Sequence, residues 1–165
     1  DSYSKLENYC RMFGRSKAKK PKPMSQASVL VVDGHARSRE LISRLLTRLH
    51  VGRGLTATSA EDAMYNLELD PKIADIIITD SRLAGMSGLK FLCKLRAQDD
   101  PNIRLKPVIG LSRSSDMKLY RSLAAWGISG FIVKPVGEQR LREVLEQALS
   151  GYIAPAPSLH LPEFD

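Results

Sequence analysis

Short apolar runs alternate with amphipathic segments along most of this chain, and the alternation constrains the fold more than any other feature. Most of the runs are apolar on successive residues and span four to six positions, too few for a stable helix. Such runs are typical of strands buried on both faces of a parallel sheet. The pattern therefore predicts five strands, over residues 28–33, 55–58, 74–79, 107–111 and 130–133.

An amphipathic segment with apolar residues at helical spacing follows each run. Ser59, with Asp62 three residues later, is typical of a helix N-cap, whereas Gly127 and Gly151 suit helix C-caps. The segments predict helices over residues 38–49, 87–97, 115–126 and 138–149, and one that starts at Ser59. Five strands that alternate with five helices form an α/β fold, a doubly wound parallel sheet with helices on both faces.

Polar residues stand at the carboxyl ends of four predicted strands: Asp33, Asp80, Ser112 and Lys134. Ligands of a doubly wound sheet bind at this edge, so we expect the four side chains to share one crevice. Paired carboxylates beside an ammonium group hold a hard cation such as Mg²⁺ and neutralise a phosphoryl group, and an aspartate can itself be a nucleophile. One such residue alone would suit a solvated strand end, but four together favour a shared site.

Four motifs surround these strand ends. They are VLVVD at residues 29–33, IIITDSRLAGMSG at 76–88, VIGLS at 108–112 and GFIVKP at 130–135. Together they resemble the receiver domain of bacterial two-component response regulators, the CheY-like family. The resemblance covers about residues 27–150 and implies a flavodoxin-like sheet in a signalling module that is not an enzyme.

The resemblance also implies a role for each strand-end residue. Asp80 would be the phospho-acceptor and, with Asp33 and a backbone carbonyl, would hold Mg²⁺. Ser112 would be the switch hydroxyl, Lys134 the phosphate-binding lysine and Phe131 the switch aromatic. The family implies a phosphoryl donor, either a histidine kinase or a phosphotransfer protein. It also implies a downstream protein partner on the face formed by the fourth helix, the fifth strand and the fifth helix.

The Lys134–Pro135 peptide bond is expected to be cis, because the corresponding bond of the family usually is. The segment after the first strand departs from the family pattern. The family has two adjacent acids there, but in this chain Gly34 follows Asp33, so one metal ligand is missing. We therefore expect weak Mg²⁺ binding through Asp33, Asp80, the backbone carbonyl of Arg82 and water.

Two arginines near the predicted pocket are further departures. Arg82 lies two residues after the acceptor, and Arg113 follows Ser112 where the family keeps a small residue. Long charged side chains at loop edges often turn into solvent. If either turns inward, its guanidinium can replace part of the missing metal charge or lock the pocket in an unphosphorylated state.

Two functions therefore stay open at this point. The first is an atypical but working receiver that accepts a phosphoryl group on Asp80 and signals through a conformational switch. The second is a pseudo-receiver that has lost phosphorylation and responds to a protein or to an anionic ligand such as a cyclic dinucleotide. The retained Asp80, Ser112 and Lys134 favour the first function.

Charge and composition divide the chain into three parts. Of the net charge of +7, residues 1–26 carry seven basic and two acidic residues, and we interpret them as a short helix over residues 3–13 and a basic linker. That basic segment would suit an anionic ligand. Residues 27–150 form the predicted receiver domain and residues 151–165 an extended tail. The chain begins with Asp1, as expected of a piece of a longer protein.

Several functional classes are not supported by the sequence. No apolar run is long enough to span a bilayer, no secretory signal is visible, and no helix-turn-helix pattern follows residue 150 to bind DNA. The two cysteines suggest no disulfide framework, so we expect a cytoplasmic protein. The three histidines are scattered along the sequence, which predicts that they form no zinc site.

Overall fold

The computed structural model of the chain describes residues 21–151. Its centre is a five-stranded parallel sheet in the order β2-β1-β3-β4-β5. The strands are β1 (Ser28–Val32), β2 (Arg53–Ala57), β3 (Ile76–Asp80), β4 (Val108–Ser112) and β5 (Gly130–Val133). The predicted doubly wound parallel sheet is therefore confirmed, and so is the existence of each of the five strands.

The five predicted helices are present as well. They are α1 (Ala36–Arg48), α2 (Ala60–Leu69), α3 (Gly88–Arg96), α4 (Met117–Ala125) and α5 (Glu138–Leu149). The hydroxyl of Ser59 accepts a hydrogen bond from the backbone N–H of Asp62 at 3.1 Å, so the predicted N-cap is confirmed. A one-turn helix over Pro101–Arg104 was not predicted, because four residues are too few to show a helical period.

The hydrophobic core lies in two layers, one on each face of the sheet. Leu30 and Val32 of β1 pack on one face, whereas Val29 and Val31 pack on the other. Every residue of β3 and β4 is buried. Burial on both faces explains why these strands are apolar on successive residues, as the sequence predicted.

The amino edge of the sheet holds Arg96, a buried cation. Arg96 is 1% exposed and ends α3. Its guanidinium donates hydrogen bonds to the backbone carbonyls of Trp126 (3.0 Å), Gly127 (2.7 Å), Arg104 (2.8 Å) and Lys106 (2.8 Å). One side chain thus joins the end of α3 to the segments that precede β4 and β5.

Lys106 is a second buried cation at the amino edge. Its ammonium group donates to the carbonyls of Pro71 at 2.9 Å and Ala74 at 2.5 Å. Burial lowers the pKa of Lys106, and the nearby carboxylates of Asp75, Asp100 and Asp70 offset part of that effect.

Part of the segment interpreted as linker contacts the domain before Ala27. Met24 packs against the core layer on one face, and its carbonyl accepts a hydrogen bond from the N–H of Gly52 at 3.0 Å. Lys22 forms an ion pair with Asp75 at 3.0 Å. The division of the chain at residue 27 stays a prediction, and the calls on residues 1–20 and 152–165 lie outside the described residues. Within residues 21–151, no helix is both long enough and apolar enough to cross a bilayer.

Candidate functional site

The sheet brings three of the predicted residues into direct contact. Asp33 directly follows β1, Asp80 ends β3 and Lys134 directly follows β5. The ammonium nitrogen Nζ of Lys134 lies 2.7 Å from Asp33 Oδ2 and 2.5 Å from Asp80 Oδ2. Asp33 is 0% and Asp80 1% exposed, so both carboxylates are shielded from water, whereas Lys134 is half-buried. The predicted convergence of two carboxylates and an ammonium group is present in the structure.

A backbone N–H group holds the second oxygen of each carboxylate. The N–H of His35 donates to Asp33 Oδ1 at 2.8 Å, and the N–H of Arg82 donates to Asp80 Oδ1 at 3.0 Å. Burial alone raises the pKa of Asp33. Hydrogen bonds from Lys134, Ser38 and the His35 backbone, with the positive charge of Lys134, outweigh that effect and lower this pKa below its usual value. Asp33 is therefore held as an anion.

The rim of the pocket is formed by His35 and Arg113, which lie 78 residues apart in the chain. His35 Nδ1 is 3.3 Å from Asp33 Oδ1, and His35 Nε2 is 2.7 Å from the Arg113 guanidinium nitrogen Nη2. A guanidinium can only donate, so Nε2 accepts and Nδ1 carries the ring proton toward Asp33. Arg113 therefore turns toward the pocket and reaches it through His35.

His35 is a site residue that the sequence analysis missed. One ligand atom each of Asp33, His35 and Asp80 can be chosen so that all lie within 4.8 Å of one another. The absence of a zinc site stays a prediction, but it was drawn from the spacing of the histidines alone and did not consider His35 beside two carboxylates. The spacing Asp-x-His directly after a strand is the signal that could have indicated it.

Arg82 and Arg39 contribute in different ways. The side chain of Arg82 is exposed, and the residue reaches Asp80 through its backbone N–H. The role of its carbonyl as a metal ligand stays a prediction. Arg39 on α1 was not predicted, and its guanidinium donates to the backbone carbonyl of Asp33 at 2.7 Å. This bond fixes the end of β1 against α1.

Ser112 and Phe131 make other contacts near this edge. Ser112 is buried, and its hydroxyl donates to the carbonyl of Ser114 at 2.8 Å. Phe131 is half-buried and meets the ring of Tyr120 edge-on, with the ring centroids 5.6 Å apart and the planes at 81°. The Lys134–Pro135 bond is cis, as predicted.

Two glycines near the pocket lie in opposite surroundings. Gly88 begins α3, and a Cβ atom there would collide with the carbonyl oxygen of Asp80, so only glycine fits. A Cβ atom at Gly34 would meet only the carbonyl oxygen of Thr58, at an ordinary contact distance of 3.8 Å. Position 34 therefore has room for a side chain, and position 88 has none.

Residues 29–146 match the family model of the response regulator receiver domain. The chain belongs to this family. Chemotaxis protein CheY of Pseudomonas aeruginosa is 31% identical over 121 residues, which are 72% of this chain and 93% of that protein. The receiver fold is also that of the chemotaxis response regulator CheY4 of Vibrio cholerae, with a TM-score of 0.66 and 24% identity over 74% of this chain and 98% of that chain.

Other relatives are longer than this receiver domain. The glycerol metabolism activator of Pseudomonas putida is 28% identical over 131 residues, which are 79% of this chain and 58% of that protein. The chain thus spans little more than half the length of that relative.

Receiver domains typically bind Mg²⁺ in an acidic pocket, and this chain fits such an ion in part. Asp33 and Asp80 supply two buried carboxylates, and each keeps one oxygen that does not contact Lys134. Gly34 supplies no carboxylate, and its assignment to the position of the family's second acid stays a prediction. The third side-chain donor in reach is the imidazole of His35.

Proposed function

We propose that this receiver domain accepts a phosphoryl group on Asp80 and signals by a conformational switch. The observation that carries the proposal is the position of the Asp80 carboxylate at the end of β3. It is buried, with one oxygen on the Lys134 ammonium group and the other on the Arg82 N–H. These contacts orient a carboxylate for attack on phosphorus.

In the proposed reaction an Asp80 oxygen forms a bond to the phosphorus of a phosphohistidine. The bond from phosphorus to the histidine nitrogen breaks, that nitrogen keeps the electron pair and takes up a proton, and an acyl phosphate remains on Asp80. Lys134 would then move its hydrogen bond from the carboxylate to a phosphoryl oxygen. A bound divalent ion would supply further positive charge to the phosphoryl oxygens.

The proposed switch starts at Ser112. Its hydroxyl now donates to the carbonyl of Ser114, and the phosphoryl group offers a charged acceptor in its place. Rotation of Ser112 would draw in the segment after β4. Phe131 and Tyr120, which pack edge-on between β5 and α4, would follow and alter the α4–β5–α5 face for a downstream partner. A histidine kinase or phosphotransfer protein as donor and a cytoplasmic location belong to the same proposal.

Treatment with acetyl phosphate tests the acceptor. The full chain with Mg²⁺ should gain the mass of one phosphoryl group, and Asp80→Asn should gain none, because an amide is not a nucleophile here. Asp99→Asn is the matched control, since Asp99 is an exposed aspartate away from the strand ends. Full labelling of Asp80→Asn, read by intact mass and by retardation on a phosphate-affinity gel, would assign the acceptor to another residue.

One observation favours the pseudo-receiver as a second candidate. Gly34 follows Asp33 where the resemblance to the family leads one to expect a second acid, so the pocket offers fewer oxygen ligands for the Mg²⁺ on which phosphorylation would depend. If Asp99→Asn and the wild type both stay unlabelled, and beryllofluoride with Mg²⁺ changes no backbone resonance, the pseudo-receiver is the better description. An anionic ligand on the basic N-terminal segment would involve residues outside the described range.

A further inference from the structure

We propose that His35 is the third side-chain ligand of a metal site in this pocket. The site takes a first-row transition ion such as Co²⁺ or Zn²⁺ in preference to Mg²⁺. The ion and Arg113 compete for His35. The proposal concerns the same pocket as the phospho-acceptor but does not require that Asp80 be phosphorylated.

The first support is the spacing of the donor atoms. Asp33 Oδ1 and His35 Nδ1 lie 3.3 Å apart. Two neighbouring ligands bound at about 2.1 Å to one tetrahedral ion are separated by about 3.4 Å, so the pair is already near the required spacing. One ligand atom each of Asp33, His35 and Asp80 lies within 4.8 Å of the other two, so a small movement completes a three-ligand set.

The second support is the chemistry of the donor set. Mg²⁺ prefers oxygen ligands, and the acid that would provide one is absent at Gly34. An imidazole together with carboxylates suits zinc and the neighbouring transition ions much better than it suits Mg²⁺. The ring of His35 is held near the carboxylate because the backbone N–H of the same residue donates to Asp33 Oδ1 at 2.8 Å.

The competition with Arg113 follows from the single lone pair of a neutral imidazole. In the structure Nε2 accepts from Arg113 at 2.7 Å, so the ring proton is on Nδ1. An ion bound to Nδ1 moves that proton to Nε2, which then cannot accept from a guanidinium. An ion bound to Nε2 displaces Arg113 directly. Whichever nitrogen binds, metal occupancy releases Arg113, the residue next to Ser112.

The charges around the pocket determine whether Arg113 strengthens or weakens the binding of a metal ion. Asp33 and Asp80 face the ammonium group of Lys134 directly and the guanidinium of Arg113 through His35. The four charges nearly cancel, which weakens binding of a cation. Removal of Arg113 restores a net negative pocket and frees the imidazole lone pair at the same time.

Co²⁺ titration of the full chain, followed by calorimetry and by the visible absorption of the bound ion, tests the ligand. We expect Co²⁺ to bind at least about tenfold more tightly than Mg²⁺, a difference of about 1.4 kcal/mol. His35→Ala should lose about tenfold in Co²⁺ affinity, with its Mg²⁺ affinity changed less than about twofold. His50→Asn is the control, because His50 is an exposed histidine outside the pocket.

A double-mutant cycle tests the competition. Arg113→Gln should raise Co²⁺ affinity about fivefold in the wild-type background and less than about twofold beside His35→Ala. Equal effects in both backgrounds would show that Arg113 acts only through long-range charge, which overturns the competition. Wild-type affinity for Co²⁺ retained in a folded His35→Ala variant, or equal binding of Co²⁺ and Mg²⁺ to the wild type, would overturn the metal site itself. Acetyl phosphate labelling of the same samples reports the phospho-acceptor separately.

Discussion

Half-buried Lys134 and buried Arg96 are cations at opposite edges of one sheet, and they are held by different kinds of partner. Lys134 at the carboxyl edge contacts two carboxylates, whereas Arg96 at the amino edge donates to four backbone carbonyls. Carboxylates change their charge when they take up a proton, a metal ion or a phosphoryl group. Backbone carbonyls do not. The comparison shows that a cation inside the fold can stabilise either a pocket whose charge changes or a backbone framework whose charge does not.

Arg96→Met should cause the largest loss of stability, and it tests the hydrogen bonds at the amino edge of the sheet. The variant leaves four carbonyls without this donor in a buried region, at a cost of about 1 kcal/mol each or about 4 kcal/mol in the free energy of unfolding. Urea unfolding should show this loss to a similar extent at pH 5 and pH 7, because carbonyls do not titrate. Arg121→Met, at an exposed position of α4, is the control and should change stability by less than about 0.5 kcal/mol. A loss below about 1 kcal/mol for Arg96→Met would mean that water replaces the guanidinium.

Lys134→Met should cost less at neutral pH, about 3 kcal/mol, and its effect should depend on pH. Without the ammonium group, burial is opposed only by the hydrogen bonds from Ser38 and the His35 backbone, so we expect the pKa of Asp33 to rise above its unfolded value. A carboxyl whose folded pKa is raised gains stability as the pH falls toward the unfolded pKa, so the variant should recover part of its loss between pH 7 and pH 5.

The wild type should behave in the opposite way. Its Asp33 has a folded pKa below the ordinary 3.8, so the stability from this group is present above pH 3.8 and disappears as the pH falls further. Urea midpoints from pH 7 to pH 3 measure both trends. A Lys134→Met variant that loses stability in parallel with the wild type on acidification would contradict the assigned role of Lys134.

Gly34→Asp gives the smallest expected change in stability and adds charge only at the carboxyl edge. Because position 34 has room for a side chain, the fold should stay intact, with a loss of about 1 kcal/mol or less from repulsion by the two existing carboxylates. Mg²⁺ affinity should rise about tenfold, since a second acid supplies another oxygen ligand. Calorimetric titration measures the gain, and Gly34→Asn separates the effect of charge from that of size. Equal Mg²⁺ affinity in all three proteins would show that position 34 does not face the ion.

Much of the fold and the centre of the site could be predicted from the sequence. Short apolar runs depend on local spacing, so they located all five strands, and the strand-end rule placed Asp33, Asp80 and Lys134 at one edge. Resemblance added the roles of Ser112 and Phe131, and those roles stay predictions.

Contacts between distant side chains could not be predicted in the same way. Arg96 follows a helical pattern that suggests a solvated helix end, and its carbonyl partners lie 8 to 31 residues later in the chain. The pairing of His35 with Arg113 depends on how two loops turn at the ends of β1 and β4. Neither set of contacts produces a pattern among neighbouring residues of the sequence.

The contrast between Gly34 and Gly88 has a consequence for how this sequence can change over generations. A Cβ atom at position 34 makes only an ordinary contact with the Thr58 carbonyl oxygen, so an acid can be gained or lost there without any adjustment of the backbone. Position 88 offers no such freedom, because the helix start and the acceptor strand touch where its side chain would be. A second carboxylate beside Asp33 is thus one substitution away in this chain, with the scaffold that would receive it already in place.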